Sequence, residues 1–405
     1  MILKDKSIVL GVTGGIAAYK AAALCSHLVK VGAVVDVILT DAAREFVSPL
    51  TFQALTHRPV VTEMFTLLAE TEIGHVSLAR RADLLIVAPA TANTIAKLAA
   101  GLADNMLTTT ALATEAPILL APAMESHMWT NPLTQANMAR LCELRDVALV
   151  GPEEGRLASG ASGLGRMAEP EEILDAAQWV LGRHGPLAGR RVIVTAGGTR
   201  EPLDPVRFLG NHSSGKMGYA LARAARDRGA QVTLISTTGQ PAPFGAELVP
   251  VETAAEMLNA VLDALTAADV LLMAAAVADY RPATTADHKI KKGEGGLALE
   301  LVRTPDILAQ VAQVRRADQV IVGFAAETEN LLENARGKLR RKHLDLIVAN
   351  DARQAMGAAT NQVTLVGADG SVEELPLLSK DEVAHRILNR VVNLLASSSN
   401  VKRQT

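Results

Sequence analysis

Residues 191–216, Arg-Val-Ile-Val-Thr-Ala-Gly-Gly-Thr-Arg-Glu-Pro-Leu-Asp-Pro-Val-Arg-Phe-Leu-Gly-Asn-His-Ser-Ser-Gly-Lys, run from an apolar strand into a long loop dense in phosphate-binding donors. Such a loop expects an anion. Gly210, Gly215 and Lys216 reproduce the spacing of a P-loop, but Met217 stands where a Ser or Thr would hold magnesium, so ordinary P-loop chemistry fails. Lys289, Lys291, Lys292, Lys338 and Lys342 are cations able to neutralise a polyphosphate. Taken alone, lysine runs of this kind are solvated faces.

Nearer the N-terminus, Gly11-Val-Thr-Gly-Gly-Ile16 has glycines where a backbone must pass close to a phosphate at a helix N-terminus. A tight strand-to-helix turn without a ligand explains them equally well. His75 follows Gly74 and precedes Val76-Ser77-Leu78. Histidine is the acid–base type that titrates nearest neutral pH, and it is also an ordinary packed or surface residue.

Two repeats of one pattern must position these groups. Ser7–Gly11 reads as a strand, Thr13-Gly14-Gly15 as a turn, the Ala-rich stretch to Val31 as a helix and Val34–Leu39 as a second strand. The pattern restarts with strand Arg191–Ala196, a Gly-rich loop, a helix from about Lys216 to Arg228 and strand Val232–Ser236. Further strands are predicted at Leu84–Ala88, Ile118–Ala121, Ala148–Val150, Val270–Ala274, Val320–Phe324 and Leu346–Ala349, as expected of parallel sheets covered on both faces. Ligands in such folds sit beyond the carboxyl ends of the strands, where Thr40, Pro89, Ala90, Pro122, Ala275 and Ala325 fall. The Gly/Pro segment Arg183–Gly189 is the best boundary, giving two α/β domains, 1–188 and 189–405, and the polar tail after about Ser397 is expected to fray.

Composition narrows the function. The 405 residues are 49% hydrophobic and 20% charged with a net charge of −3, which describes a soluble protein without an electrostatic footprint for nucleic acid or membrane. An aromatic share of 3% leaves little stacking surface for bases. Cys25 and Cys142 fit neither a disulfide framework nor a metal-ligand spacing, and a reducing cytoplasm is expected. No apolar run reaches membrane-spanning length, and no export signal is read.

The 191–216 stretch, together with Ala274-Ala-Ala-Val-Ala-Asp-Tyr-Arg-Pro282 and Lys289-Ile-Lys-Lys292, resembles phosphopantothenoylcysteine synthetase, the ligase half of the bifunctional coenzyme A biosynthesis flavoproteins. The resemblance covers nearly the whole chain. In the first half Pro89-Ala-Thr-Ala-Asn-Thr94, Gly101-Leu-Ala-Asp-Asn105 and Pro122-Ala-Met124 look like the motifs of cysteine-decarboxylase flavoproteins, which bind FMN between protomers of a trimer.

The resemblance implies a flavodoxin-like N-terminal domain that decarboxylates phosphopantothenoylcysteine with FMN at Gly14, Gly15, Thr40, Thr91, Asn93 and Thr108, with His75 as acid–base and positioning group. It implies a Rossmann-like, parallel-sheet C-terminal synthetase that joins cysteine to 4′-phosphopantothenate through an acyl-cytidylate, with Asn211 assigned to that intermediate. CTP would be held by Ala274, Ala275, Ala276, Asp279, Lys289, the turn Pro305-Asp306-Ile307-Leu308, Phe324, Lys338 and Lys342. Magnesium is expected on the phosphates, with no protein cage for it in the sequence. The implied assembly is a homo-oligomer, a dodecamer of trimeric flavoprotein and dimeric synthetase domains.

Two residues depart from the family. Glu125 stands where Asn usually meets the substrate carboxylate, and two like charges about 4 Å apart at an effective dielectric of about 20 repel by about 4 kcal/mol unless the side chain is neutral or turned away. Ser159, in the Gly-rich flap 157–167, replaces a Cys thought to protonate the intermediate, and a hydroxyl is a far weaker acid than a thiol. Two readings therefore stay open: a working bifunctional enzyme, in which water, Ser159 or Asn131 takes over the proton transfer, or an active ligase carried on a flavin-binding scaffold. A regulatory phosphatase-inhibitor subunit would call for an acidic tail, which the C-terminus Val401-Lys-Arg-Gln-Thr405 lacks. A generic nicotinamide dehydrogenase would need a G-x-G-x-x-G turn, and neither glycine turn follows that pattern.

Overall fold

Leu84-Leu-Ile-Val-Ala-Pro-Ala90 is buried at every position, as a strand covered on both faces must be. It lies in the first of two units, Met1–Gly182 and Arg183–Thr405, of a computed structural model that describes residues 2–64, 74–292, 296–327, 330–351 and 360–401. In this unit β1 (Ser7–Val12), β2 (Val34–Leu39), β3 (Val60–Val61), β4 (Leu84–Ala90), β5 (Ile118–Pro122) and β6 (Val147–Leu149) form a sheet in the order β3-β2-β1-β4-β5-β6. Every neighbouring pair is parallel. The order reverses between β1 and β4, which opens a crevice at their carboxyl ends. Helix Ala18–Lys30 buries Ala18, Ala21, Leu24, Cys25 and Leu28, three or four apart, so one stripe meets the sheet. Outside the sheet, β7 (Glu153–Arg156) and β8 (Ser162–Arg166) form an antiparallel hairpin from the segment expected as a Gly-rich flap.

In the second unit β9 (Arg191–Ala196) leads into a ribbon of β10 (Arg200–Pro202) with β11 (Phe208–Gly210), and β12 (Gln231–Ser236), β13 (Glu247–Pro250) and β14 (Val270–Met273) follow. A second ribbon, β15 (Tyr280–Pro282) with β16 (Leu301–Arg303), precedes β17 (Val320–Glu327) and β18 (Leu346–Asp351). Then come β19 (Thr360–Asn361), β20 (Val363–Gly367), β21 (Val372–Glu374) and β22 (Leu378–Ser379). The main sheet runs β13-β12-β9-β14-β17-β18-β20-β21, parallel through β18 and antiparallel at the β20-β21 edge. The turn between β20 and β21 is far too short for a crossover helix, so those two strands can only be antiparallel.

Alternate residues of β9 feed opposite cores. Val192 and Val194 face helices Lys216–Arg226 and Lys380–Val401, whereas Ile193 faces Ala254–Leu265, Ile307–Val314 and Leu331–Arg341. The first of these helices ends at Arg226, before the expected Arg228. Helix Lys380–Val401 continues past the point where fraying was expected, and residues 402–405 lie outside the described residues. No described helix is long and apolar enough to cross a membrane.

Candidate functional site

The strand order of the second unit reverses between β9 and β14, and the loops leaving these strands are stitched together. Ala276 N donates to Gly197 O at 2.8 Å, and Ala278 N donates to Thr199 Oγ1 at 2.9 Å. Asn211 Nδ2 donates to Val277 O at 3.0 Å, which fixes the donor-rich loop against the alanine segment. Gly198 permits this approach, since a Cβ there would stand 2.5 Å from Asn211 O. Helix Lys216–Arg226 begins at Gly215 (φ 74°) without a side-chain cap, leaving its leading N–H groups available to an anion.

Beside this junction lies a cavity of about 550 Å³. Ala275, Val277, Ile307, Leu308 and Phe324 give it apolar lining, and Asp279, Arg303, Asp306, Lys338, Arg341 and Lys342 add charge. Of the residues expected to hold a nucleotide, Ala275, Asp279, Pro305–Leu308, Phe324, Lys338 and Lys342 line it. Ala274, Ala276 and Lys289 do not.

Two of the expected lysines are already engaged. Lys338 Nζ donates to Phe324 O at 2.7 Å, and Lys342 pairs with Asp306. Asp306 also caps helix Ile307–Val314, accepting from Ala309 N at 3.0 Å. Burial would raise its carboxyl pKa, but the Lys342 ammonium and the Ala309 amide outweigh that and hold it below the usual carboxylate range. Arg303 and Arg341 were missed from sequence because each belongs to an element that alone looks solvated.

Lys289 is exposed, on a segment anchored elsewhere. Ile290 N donates to Asp204 Oδ2 at 3.1 Å, and Arg207 donates to Ile290 O at 2.7 Å. The Arg207 guanidinium, with backbone N–H groups adding to it against desolvation, holds the Asp204 carboxyl far below its usual range. This buried anchor had no sequence signal beyond the Asp-Pro turn.

In the first unit a cavity of about 600 Å³ joins Gly15, Lys20, Met124 and Glu125 to the hairpin residues Arg156, Ser159 and Arg166. The hairpin closes onto the loop after β5, with Met124 N donating to Gly165 O at 3.0 Å. A Cβ at Gly165 would lie 2.2 Å from Met124 O, so only glycine fits. Lys20 pairs with Glu169 at 2.9 Å, and Arg166 pairs with Glu153 at 2.6 Å. Glu125 lines the cavity, yet its Oε2 accepts from His127 N at 2.6 Å. Ser159 is exposed in the hairpin turn. Asn131 is likewise occupied, capping helix Pro132–Leu144.

His75 lies in helix Gly74–Arg81 and does not line this cavity, but its Nδ1 is buried without a partner among the described residues. An orphaned buried nitrogen suits a ligand contact. The expected flavin residues gather at the carboxyl ends of β1, β2 and β4 without sharing one cavity. Thr40 caps helix Asp41–Arg44 and lines a separate cavity of about 280 Å³. Thr91 caps Ala92–Ala100, Asn93 is exposed beside it, and Thr108 is buried in a capping box with Asn105. Gly14 packs on Ala42, whereas the space at Gly15 is open. Helix Ala18–Lys30, which follows, has no side-chain cap, so this turn fits the phosphate of a flavin mononucleotide. Cys25 is buried on that helix, which pushes its thiol up to about 11, and Cys142 is exposed on helix Pro132–Leu144.

A family model described as flavoprotein matches residues 2–181, and one described as the C-terminal domain of DNA/pantothenate metabolism flavoproteins matches residues 187–395. The chain is 49% identical over 401 residues to a "Coenzyme A biosynthesis bifunctional protein CoaBC" of Bacillus subtilis (strain 168), covering 97% of this chain and 98% of that one. It is 46% identical over 395 residues to the protein of the same name from Vibrio cholerae serotype O1, covering 96% and 98%. A solved C-terminal domain of a protein of that name aligns at 45% identity with a TM-score of 0.45, covering 52% of this chain and 97% of that domain.

Proposed function

Because the chain belongs to the family of bifunctional coenzyme A biosynthesis proteins, we propose that residues 189–405 carry its ligase chemistry and residues 1–188 its decarboxylase chemistry. The protein is a phosphopantothenate–cysteine ligase and a flavin-dependent phosphopantothenoylcysteine decarboxylase.

In the ligase half, the carboxylate of 4′-phosphopantothenate attacks the α-phosphorus of CTP and diphosphate leaves. The amine of cysteine then displaces CMP from the acyl-cytidylate. The observation that carries this reading is the cavity at the carboxyl ends of β14 and β17, apolar enough for a base and bordered by cations for a triphosphate. Ala274, Ala275 and Ala276 are small enough to let base and ribose approach the backbone, and Asn211 stands at the acyl-cytidylate. Asp279, Phe324, the turn 305–308, Lys338 and Lys342 line the cavity around the nucleotide, and Lys289 stands on the anchored segment outside that lining. Magnesium, when bound, would neutralise charge on the phosphates.

In the decarboxylase half, FMN when bound supplies the oxidation and reduction that make loss of carbon dioxide feasible. Gly14 and Gly15 at the uncapped helix, with Thr40, Thr91, Asn93 and Thr108, form its cradle. His75 positions the substrate and moves a proton through its unengaged Nδ1. The 153–166 hairpin excludes water, with Ser159 at its tip in place of a thiol. Glu125 stays on the His127 amide, which removes one of the two grounds for the scaffold reading.

Gly15 and Thr40, two of the expected flavin residues, line separate cavities of one chain, which supports a site completed between copies, hence a homo-oligomer and, with dimeric ligase domains, a dodecamer. The substrates are small molecules, and the cytoplasm is the compartment that supplies them.

The test is a single-turnover assay on purified protein. Given phosphopantothenate, cysteine and CTP it should release CMP and diphosphate, and given phosphopantothenoylcysteine it should release carbon dioxide while flavin absorbance returns to the oxidised level. Ligation without carbon dioxide release would overturn the decarboxylase assignment, and loss of ligation when CTP is the only nucleotide would overturn the other.

A further inference from the structure

Arg303 and Arg341 line the second unit's cavity, and neither side chain has a hydrogen bond or ion pair among the described residues. The lysines beside them are committed, Lys338 to Phe324 O and Lys342 to Asp306. For Lys342 to reach a phosphate it must leave Asp306, stranding a carboxylate in the path of an arriving polyanion. The two arginines need break nothing.

We propose that Arg303 and Arg341 are the groups that capture the triphosphate of the nucleotide, while Asp306 and Lys342 brace the wall behind it. This rests on the reading of the cavity as the CTP site. Arg303 ends β16, whose ribbon is tied to the cavity where Thr304 N donates to Asp279 O at 3.0 Å. Arg341 ends helix Leu331–Arg341, where the carbonyl end of the helix dipole favours a cation. The guanidinium groups therefore come from two separately braced elements and can grip different phosphates. Their planar, permanently charged forks match phosphate geometry better than an ammonium. The base and ribose contacts lie on the apolar lining and need neither arginine.

The experiment compares CTP and CMP binding, and the Michaelis constants for CTP and cysteine in ligation, for full-length wild-type protein, Arg303→Gln, Arg341→Gln and Arg303→Lys. Each glutamine variant should bind CTP about 10- to 100-fold more weakly. CMP affinity and the cysteine constant should stay within about threefold of wild type, and Arg303→Lys should recover part of the loss. Unchanged CMP binding also reports an intact cavity, so a merely structural defect is distinguishable. Glutamine variants that bind CTP as wild type does, in protein that ligates with CTP, overturn the assignment of the arginines alone. Wild-type protein without CTP-dependent ligation overturns the cavity reading and this inference with it.

Discussion

The Oε2 atom of Glu125 accepts a hydrogen bond from the backbone N–H of His127 at 2.6 Å, capping the turn Ser126–Trp129. A carboxylate that would oppose an anionic substrate is thereby spent on the protein's own backbone. Were it to face the substrate carboxylate, Glu125→Asn would speed decarboxylation by about three decades. Because asparagine can serve the same cap, we expect kcat/KM for decarboxylation to change by less than about tenfold. Steady-state carbon dioxide release from the two proteins decides between these outcomes.

Ser159 sits exposed at the tip of the hairpin with no thiol nearby, since Cys25 is buried on helix Ala18–Lys30. Ser159→Cys should accelerate flavin reoxidation by about a hundredfold while leaving the carbon dioxide burst unchanged. Stopped-flow absorbance alongside carbon dioxide detection separates the two steps. Equal reoxidation rates would show that water or another group already protonates efficiently.

Gly165→Ala should part the hairpin from the Met124 loop, because the added methyl would overlap Met124 O. Overpacking of this kind costs about 1–3 kcal/mol. The expected result is about a tenfold or greater fall in decarboxylation with ligation unaltered in the same chain. A parallel loss of ligation would mean a global defect.

Burial, reinforced by the neighbouring Arg228 guanidinium, pushes the His385 imidazole below its ordinary pKa. Arg228 donates to its Nδ1 at 2.8 Å, an arrangement that requires the neutral ring. A group with a depressed folded pKa binds its proton more readily when unfolded, so its contribution is present above about pH 6.5 and is lost as pH falls through the folded pKa. The melting temperature of the second unit should therefore drop on acidification below about pH 6.5. His385→Gln should flatten that slope, which calorimetry at several pH values can measure.

Sequence carried the fold where burial was two-sided. Leu84–Ala88 and Arg191–Ala196 read as strands because both faces are packed, and Gly15 and Gly215 mark helix starts without side-chain caps. The hairpin β7-β8 was hidden because it is rich in Gly and charge and leans on one loop rather than a core. The site was legible where one segment holds several of its members, as at Pro305–Leu308. It was not legible where members meet only after folding. Arg303 and Arg341 join through the cavity, and Asp204 reveals its role only through the segment it grips.

That grip sets an order of assembly. Asp204 and Ile290 are 86 positions apart, and β12, β13 and β14 lie between them in the chain. Closing so long a loop before the intervening strands have paired would cost chain entropy with little return. The segment bearing Lys289 should therefore lock late, after the parallel sheet is in place. A refolding chain would pass through a form with a complete sheet and a loose lysine arm, protected from hydrogen exchange at β9 and β14 before Ile290 N is protected.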